Sequence, residues 1–195
     1  ELASSYTTVG TSASDAAIYL QRFQNAGLEP SSAGMDQAMA NAHKLQTAFR
    51  LTGAETDSLM GSLKRAGIDA NQLGESFNAL GYISSETNIS IGTFQSVLTT
   101  SGANMEKYGV SVDVAAVALS KINGRYRTAR QAGSAFNKAV EESGGDISKL
   151  EQELGLTAGT LQNASAETSK ASSTVDNLSQ SYEDAQGPIG QLNSA

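Results

Sequence analysis

The sequence predicts an all-α fold, in which short helices are joined by tight glycine turns and followed by a longer coiled-coil-like helix. Only two prolines occur in 195 residues, Pro30 and Pro188, so helix formation meets little opposition between them. Apolar residues recur with the helical period along most of the chain. Nineteen glycines are present, and several stand where a helical run ends.

Four glycine–apolar pairs mark the predicted helix ends. Glycine suits such an end because it adopts the left-handed conformation without a Cβ clash. The apolar residue after it can fold back on the last helical turn, as in a Schellman motif. A residue able to cap the next helix follows three of the pairs, namely Asp69, Ser111 and Thr157. The predicted helix-turn glycines are Gly27, Gly67, Gly109 and Gly155.

The spacing of apolar residues and turn residues divides the chain into four parts. We expect a helical domain with its first helix at about residues 14–25, and a later helical part that ends where Gly187 meets Pro188. The predicted parts are an irregular lead over 1–13, a helical domain over 14–156, a coiled-coil-like helix over 157–186 and an irregular tail over 187–195.

Three local features of the predicted domain depend on single residues. The third helix is expected to open at Thr56 or Asp57, which are both acceptable N-caps. A turn-rich piece is expected at residues 81–92, which Gly81 and Gly92 bound. The helix after it is expected to break near Gly102.

A weak heptad pattern begins after Thr157, where serine, threonine, alanine, asparagine and glutamine dominate. Two positions of the heptad are occupied by apolar or small residues over nearly four repeats, which is the least that indicates a coiled coil. The predicted self-association residues are Leu161, Ala164, Thr168, Ala171, Val175, Leu178, Tyr182 and Ala185.

The charge and composition argue against several classes of partner. The chain has 13 Lys and Arg against 20 Asp and Glu, a net charge of −7, so we expect no specific nucleic-acid binding. It has no cysteine, which rules out disulfides and thiolate metal sites. Its most apolar run, residues 110–119, is shorter than the roughly 20 residues of a membrane span, so membrane contact is not encoded here.

We find no residue pattern that predicts catalysis, a cofactor or a metal site. The single histidine, His43, lies in a helical run without acidic neighbours one turn away, so we expect a boundary residue. Glu141 and Glu142 are adjacent on a predicted helix and point in different directions, unlike a pair of catalytic carboxylates. The prediction is therefore a protein that is not an enzyme and has no cofactor.

One basic cluster interrupts this acidic chain. Arg125, Arg127 and Arg130 lie within six residues, with Tyr126 between the first two. The cluster can contact a carboxylate-rich partner or phosphate. Alternatively, it faces solvent or pairs with the Glu141–Glu142 acids or with another chain.

The run over residues 108–140 resembles the core region of tape measure proteins from the tails of long-tailed bacteriophages. The resemblance is carried by Gly-Val-Ser at 109–111, the alanine-rich helix at 115–119 and the Arg-Gln-Ala-Gly-Ser-Ala run at 130–135. The stretch at 59–80 is similar to a segment just upstream in such proteins.

The resemblance implies a structural protein of the virion, placed in the tail lumen or at the tail tip. Proteins of that family lie extended in the tail tube, set tail length and leave ahead of the DNA during genome ejection. It also implies a homo-oligomer, a trimer from the symmetry of the tube, with tail tube and tail tip proteins as partners. The alternative is a helical interaction module of a bacterial secreted or cell-surface protein. Because the chain starts at Glu1, we expect a fragment of a larger protein or a processed N-terminus.

Overall fold

Helices account for all the regular structure in the part of the chain that the structure describes. The computed structural model describes residues 13–29, 35–70, 72–74 and 76–171, with the isolated positions 177 and 181. Within them no strand occurs, so the all-α prediction is confirmed. The helices are α1 (Ala13–Ala26), α2 (Met35–Ala48), α3 (Gly53–Arg65), α4 (Ser76–Glu86), α5 (Ile91–Tyr108), α6 (Val112–Ile122), α7 (Ala129–Ser143), α8 (Ile147–Glu153) and α9 (Ala164–Ser169), with a 3₁₀ turn at Asn123–Arg125 between α6 and α7.

Side-chain caps fix the start of most of these helices. The oxygens of Ser90, Ser111, Thr128 and Asp146 each accept the backbone N–H three residues on, at the starts of α5, α6, α7 and α8. Helix α9 differs, because Asn163 at its start makes no such hydrogen bond.

The prediction that α3 opens at Thr56 or Asp57 was wrong. The N-cap is Thr52, whose Oγ1 accepts the Glu55 N–H at 3.3 Å, while the Glu55 carboxylate accepts the Thr52 N–H at 2.8 Å. This reciprocal capping box starts the helix four or five residues earlier than predicted, and Thr56 is buried inside the helix. The backbone N–H and the hydroxyl of Thr52 both donate to the Glu55 carboxylate and lower its pKa, since they favour its charged form.

Four helix ends share one geometry. Gly27, Gly67, Gly109 and Gly155 have φ of +69°, +86°, +69° and +61°. In each case the next residue donates its N–H five residues back, as the Schellman motif requires. The bonds are Leu28 to Phe23 (2.8 Å), Ile68 to Leu63 (3.0 Å), Val110 to Met105 (2.9 Å) and Leu156 to Glu151 (2.8 Å).

Two other glycine-based predictions were wrong, for the same physical reason. The piece expected to be turn-rich at 81–92 is helical as far as Glu86, because Tyr82 and Ile83 are buried against the core and hold α4 together. The break expected near Gly102 does not occur in α5. A Cβ atom at Gly102 would lie 2.8 Å from the carbonyl carbon and oxygen of Arg65, so this glycine lets α3 and α5 approach closely.

The core lies around α5 and α6. Helix α5 packs between α3 and α7, and Phe94 from α5 and Phe136 from α7 are fully buried. Helix α6 packs against α4, α7 and α9, and its alanine-rich centre, 115–118, is fully buried. Small side chains there allow three neighbouring helices to reach one short helix.

The chain after α8 differs from the predicted long helix. Residues 158–163 form turns, and helix begins only at Ala164. The prediction of continuous helix from Thr157 is therefore wrong at its start, where Gly159 has a φ of +86°. Residues 177 and 181 are helical, while the rest of 172–195 and residues 1–12 lie outside the described residues.

Candidate interaction surfaces

Residues 157–171, here called the strap, fold back on the helical domain and carry the first half of the predicted self-association seam. Helix α9, which is part of the strap, packs against α4 and α6. The four seam residues of the strap, Leu161, Ala164, Thr168 and Ala171, are each less than 5% exposed. The side chains that keep the heptad pattern thus face this chain's own core.

A buried carboxylate holds the first part of the strap. Glu151 in α8 is only 1% exposed. Its two oxygens accept the N–H groups of Leu161 at 2.6 Å and Gly159 at 2.9 Å. These bonds satisfy backbone donors that the turns at 158–163 leave without helical partners. Glu151 therefore holds the turns against α8.

Polar contacts also hold the second part of the strap. Thr168 Oγ1 donates to Asp113 Oδ1 at 2.7 Å, although Thr168 itself is completely buried. Glu167 accepts from Lys121 Nζ at 3.3 Å and from the Tyr82 hydroxyl at 3.3 Å. α9 is thus tied to both α4 and α6.

This arrangement limits what the predicted self-association residues can do. In this conformation Leu161, Ala164, Thr168 and Ala171 cannot face a second copy. Val175, Leu178, Tyr182 and Ala185 lie outside the described residues. Self-association through the seam stays a prediction, and its first half requires the strap to leave the domain.

The three arginines of the basic cluster occupy two different environments. The Arg125 guanidinium donates to the carbonyl oxygens of Leu154 at 2.7 Å and Gly155 at 3.2 Å, so it holds the C-terminal end of α8. It does not pair with the Glu141–Glu142 acids that sequence reasoning considered. Arg127 and Arg130 are exposed and have no ion-pair partner within the described ranges.

Tyr126 adds an apolar element to this basic surface. This residue is 39% exposed. Among the described residues, Ile18 is the one other large apolar side chain that is exposed. Tyr126, Arg127 and Arg130 line one side of an open cleft with Arg125, and none of the residues lining it is acidic. Arginine and tyrosine exposed together are typical of protein–protein contact sites.

His43 occupies a structural position between α1 and α2. It is half-buried, and its Nδ1 lies 3.0 Å from the Tyr19 hydroxyl, with the two rings edge to face at 6.0 Å between centroids. No group of three His, Asp or Glu side chains in the described part of the chain could hold a metal ion. The described helices also include none with the length and apolarity to cross a bilayer.

Sequence reasoning missed the residues that hold the strap. Glu151 reads as one acid among several in a polar helix, and nothing local distinguishes it from Glu153, which is exposed. One signal did exist at Thr168, because a threonine at a heptad core position needs a hydrogen-bond partner when it is buried.

Comparison with known protein families matches residues 1–194 to a model described as phage-related minor tail protein. No curated protein and no solved structure matches the chain. The match covers nearly the full length, so it concerns the helical domain and the strap together. It places the chain in the virion tail, in a structural role and in contact with other tail components. The chain belongs to the family of phage-related minor tail proteins.

Proposed function

We propose that the chain is a segment of a tape measure protein, which occupies the tail tube lumen, sets tail length and is released ahead of DNA during genome ejection. The observation that carries the proposal is the family match over residues 1–194, combined with the tape-measure-like run at 108–140. The match gives no support to the alternative of a secreted or cell-surface module.

The run that resembles tape measure proteins forms the structural centre of the domain. It covers the end of α5, all of α6 and most of α7. The Gly-Val-Ser stretch at 109–111 ends α5 and caps α6, and the alanine-rich helix is the buried α6. The pattern therefore encodes a helix–turn–helix unit with a close-packed centre.

Length measurement requires this domain to open. A ruler works through its contour length, whereas α3, α5 and α7 lie side by side in the packed form. About 140 residues of continuous helix would measure about 210 Å at 1.5 Å per residue. We propose that the packed domain and an extended series of helices are two states of this segment, and that the extended state measures the tail.

Changing the length of the segment in its parent gene tests the proposal. An in-frame duplication of residues 14–156 should lengthen tails by up to about 210 Å, measured by electron microscopy of purified particles. Gly61→Ala is the matched control, since it changes the same domain without changing its length. Normal-length tails that contain the duplicated protein would rule out a measuring role.

We also propose that copies associate through the second half of the seam, as a homotrimer. Val175, Leu178 and Tyr182 supply larger side chains than the first half of the heptad, where alanine and threonine dominate. The double substitution Val175→Glu/Leu178→Glu should convert trimer to monomer in sedimentation equilibrium at high salt, where contacts between surface charges are screened. A wild-type chain that stays monomeric at high concentration would exclude the trimer.

A further inference from the structure

The two ends of helix α7 carry opposite charges. Arg127 and Arg130 lie at its start, with Tyr126 beside them, and both are exposed. Glu141 and Glu142 lie in its last turn and are also exposed. They are the one pair of adjacent acids in the part of the chain that the structure describes.

These opposite charges cannot pair within one copy. Arg130 and Glu141 are eleven positions apart on one helix, or about 16 Å at 1.5 Å per residue. An ion pair needs its nitrogen and oxygen within about 4 Å. The helix is continuous from Ala129 to Ser143, so no bend brings its ends together.

Each end is open to a partner. The cleft beside Arg127 and a second groove between α5 and α7 share Arg130 and Ser134, and neither is lined by an acid. At the other end, Glu142 pairs with Lys138 at 3.5 Å, and Lys107 lies close enough to Glu141 to be attracted to it. Exposed pairs of this kind contribute little, so they exchange readily for arginine partners.

We propose that one copy binds the next head to tail, with the last turn of α7 in one copy against Tyr126, Arg127 and Arg130 of a second copy. Because Glu141 and Glu142 point in different directions, each of the two carboxylates meets a different arginine. Arginine binds a carboxylate through two parallel hydrogen bonds, which gives such a contact direction as well as charge. The helix dipoles add to the attraction, since the negative end of one α7 meets the positive end of the next. The two surfaces differ, so the contact is heterologous and each bound copy leaves a free end for another.

The occupant is a second copy because the chain itself presents the complementary charge. Nucleic acid fits less well, because the chain carries a net charge of −7 and the surface offers only two unpaired arginines. The contact is also separate from the predicted seam, which lies after residue 157.

Charge exchange between the two ends provides the test. Arg127→Glu/Arg130→Glu alone, or Glu141→Lys/Glu142→Lys alone, should weaken association at least about tenfold, as measured by sedimentation velocity at low salt. The four substitutions together should restore it, because the pairs are then re-formed with reversed sign. Lys149→Glu/Lys170→Glu and Glu106→Lys/Glu153→Lys are controls with the same charge changes on other exposed positions. Circular dichroism checks that each variant is folded.

Engineered cysteines give an independent readout, since the chain has none of its own. Arg130→Cys copies mixed with Glu142→Cys copies should form a disulfide dimer under mild oxidation. A variant carrying both cysteines should form chains of increasing length, because a bond within one copy would need the two Cα atoms within about 7 Å. The proposal is overturned if the wild-type protein shows no open-ended association. It is also overturned if the variant with all four substitutions does not recover association, or if the control variants weaken association equally. Val175→Glu/Leu178→Glu should keep the head-to-tail association at low salt, which separates this contact from the seam, and loss of that association in this variant would also overturn the proposal.

Discussion

The helical domain and the strap are held in place by different kinds of contact. Helices α3, α5 and α7 pack through large apolar side chains and through Gly102 and Gly133, where a Cβ would lie under 3 Å from the neighbouring helix. The strap is held by small side chains, a buried carboxylate and hydrogen bonds between polar side chains. The first kind of contact depends on shape and the second on a few bonds.

This difference predicts which region opens first. Removing a large side chain from a close-packed core costs about 3–5 kcal/mol and is felt throughout the fold. Removing one partner of a buried hydrogen bond costs about 1–3 kcal/mol and is felt where the bond lies. The strap also begins its helix without a side-chain cap, unlike α3 and α5 to α8. We therefore expect the strap to detach while the domain stays folded.

Gly102→Ala should have the largest effect and tests the packing of the domain. The added methyl group meets the backbone of Arg65, which cannot rotate away, so α3 and α5 must separate. We expect a loss of about 3 kcal/mol in the free energy of unfolding, measured by urea denaturation. Gly61→Ala is the matched control in α3, where a Cβ meets nothing within 4 Å, and it should gain about 0.5–1 kcal/mol. Equal stability of the two variants would contradict close packing at Gly102.

Glu151→Gln should have the next largest effect and tests the strap. Glutamine offers one oxygen where the carboxylate offers two, so one of the N–H groups of Gly159 and Leu161 loses its acceptor. We expect a local cost of about 1–3 kcal/mol. Hydrogen exchange should speed up at those two amides while the amides of α6 stay protected. Glu153→Gln, in the same helix but exposed, should leave both regions unchanged. Equal acceleration in α6 would show that strap and domain open together.

Substituting the two glycines that end α5 and α8 compares the domain and the strap by the same change of residue. Gly109 and Gly155 have φ of +69° and +61°, so alanine at either position costs about 1–2 kcal/mol. Gly109→Ala should lower the stability of the domain in urea. Gly155→Ala should act on the start of the strap, and it also displaces the Arg125 guanidinium, which lies 3.2 Å from the new Cβ. Asparagine tolerates this conformation, so Gly109→Asn should recover part of the loss. A larger cost for asparagine than for alanine would show that something other than φ is responsible.

The smallest effect concerns the capping box of α3 and its pH dependence. Hydrogen bonds from Thr52 lower the pKa of Glu55 in the folded state. A lowered pKa means that the stabilisation is complete above the unfolded-state pKa and is lost as pH falls through the folded-state value. An NMR titration of the Glu55 carboxyl should give a pKa below the ordinary value of 4.5. The Thr52 N–H, which is the larger cause, remains in Thr52→Ala, and only the hydroxyl donor is lost, so the pKa should return part of the way toward that value. An unchanged pKa in this variant would exclude the Thr52 hydroxyl as a cause.

The sequence by itself determined what depends on near neighbours in the chain. The helical period predicts the helices, because each turn buries residues three and four positions apart. Gly27 and Gly109 have positive φ, and the hydrogen bonds that close these helix ends join residues only five positions apart. The family resemblance also needs only the order of residues, and the family match over 1–194 supports it at the level of a phage tail protein.

The tertiary structure decided what depends on residues far apart in sequence. Gly102 looks like a helix breaker until the backbone of Arg65 lies beside it. The heptad after Thr157 looks like a seam for another chain until Glu151 and Asp113 bind the strap. The close approach at Gly102 and the binding of the strap both depend on contacts that the apolar period does not encode. The role of a glycine, a threonine or a glutamate is decided by the residues that pack against it in the folded chain.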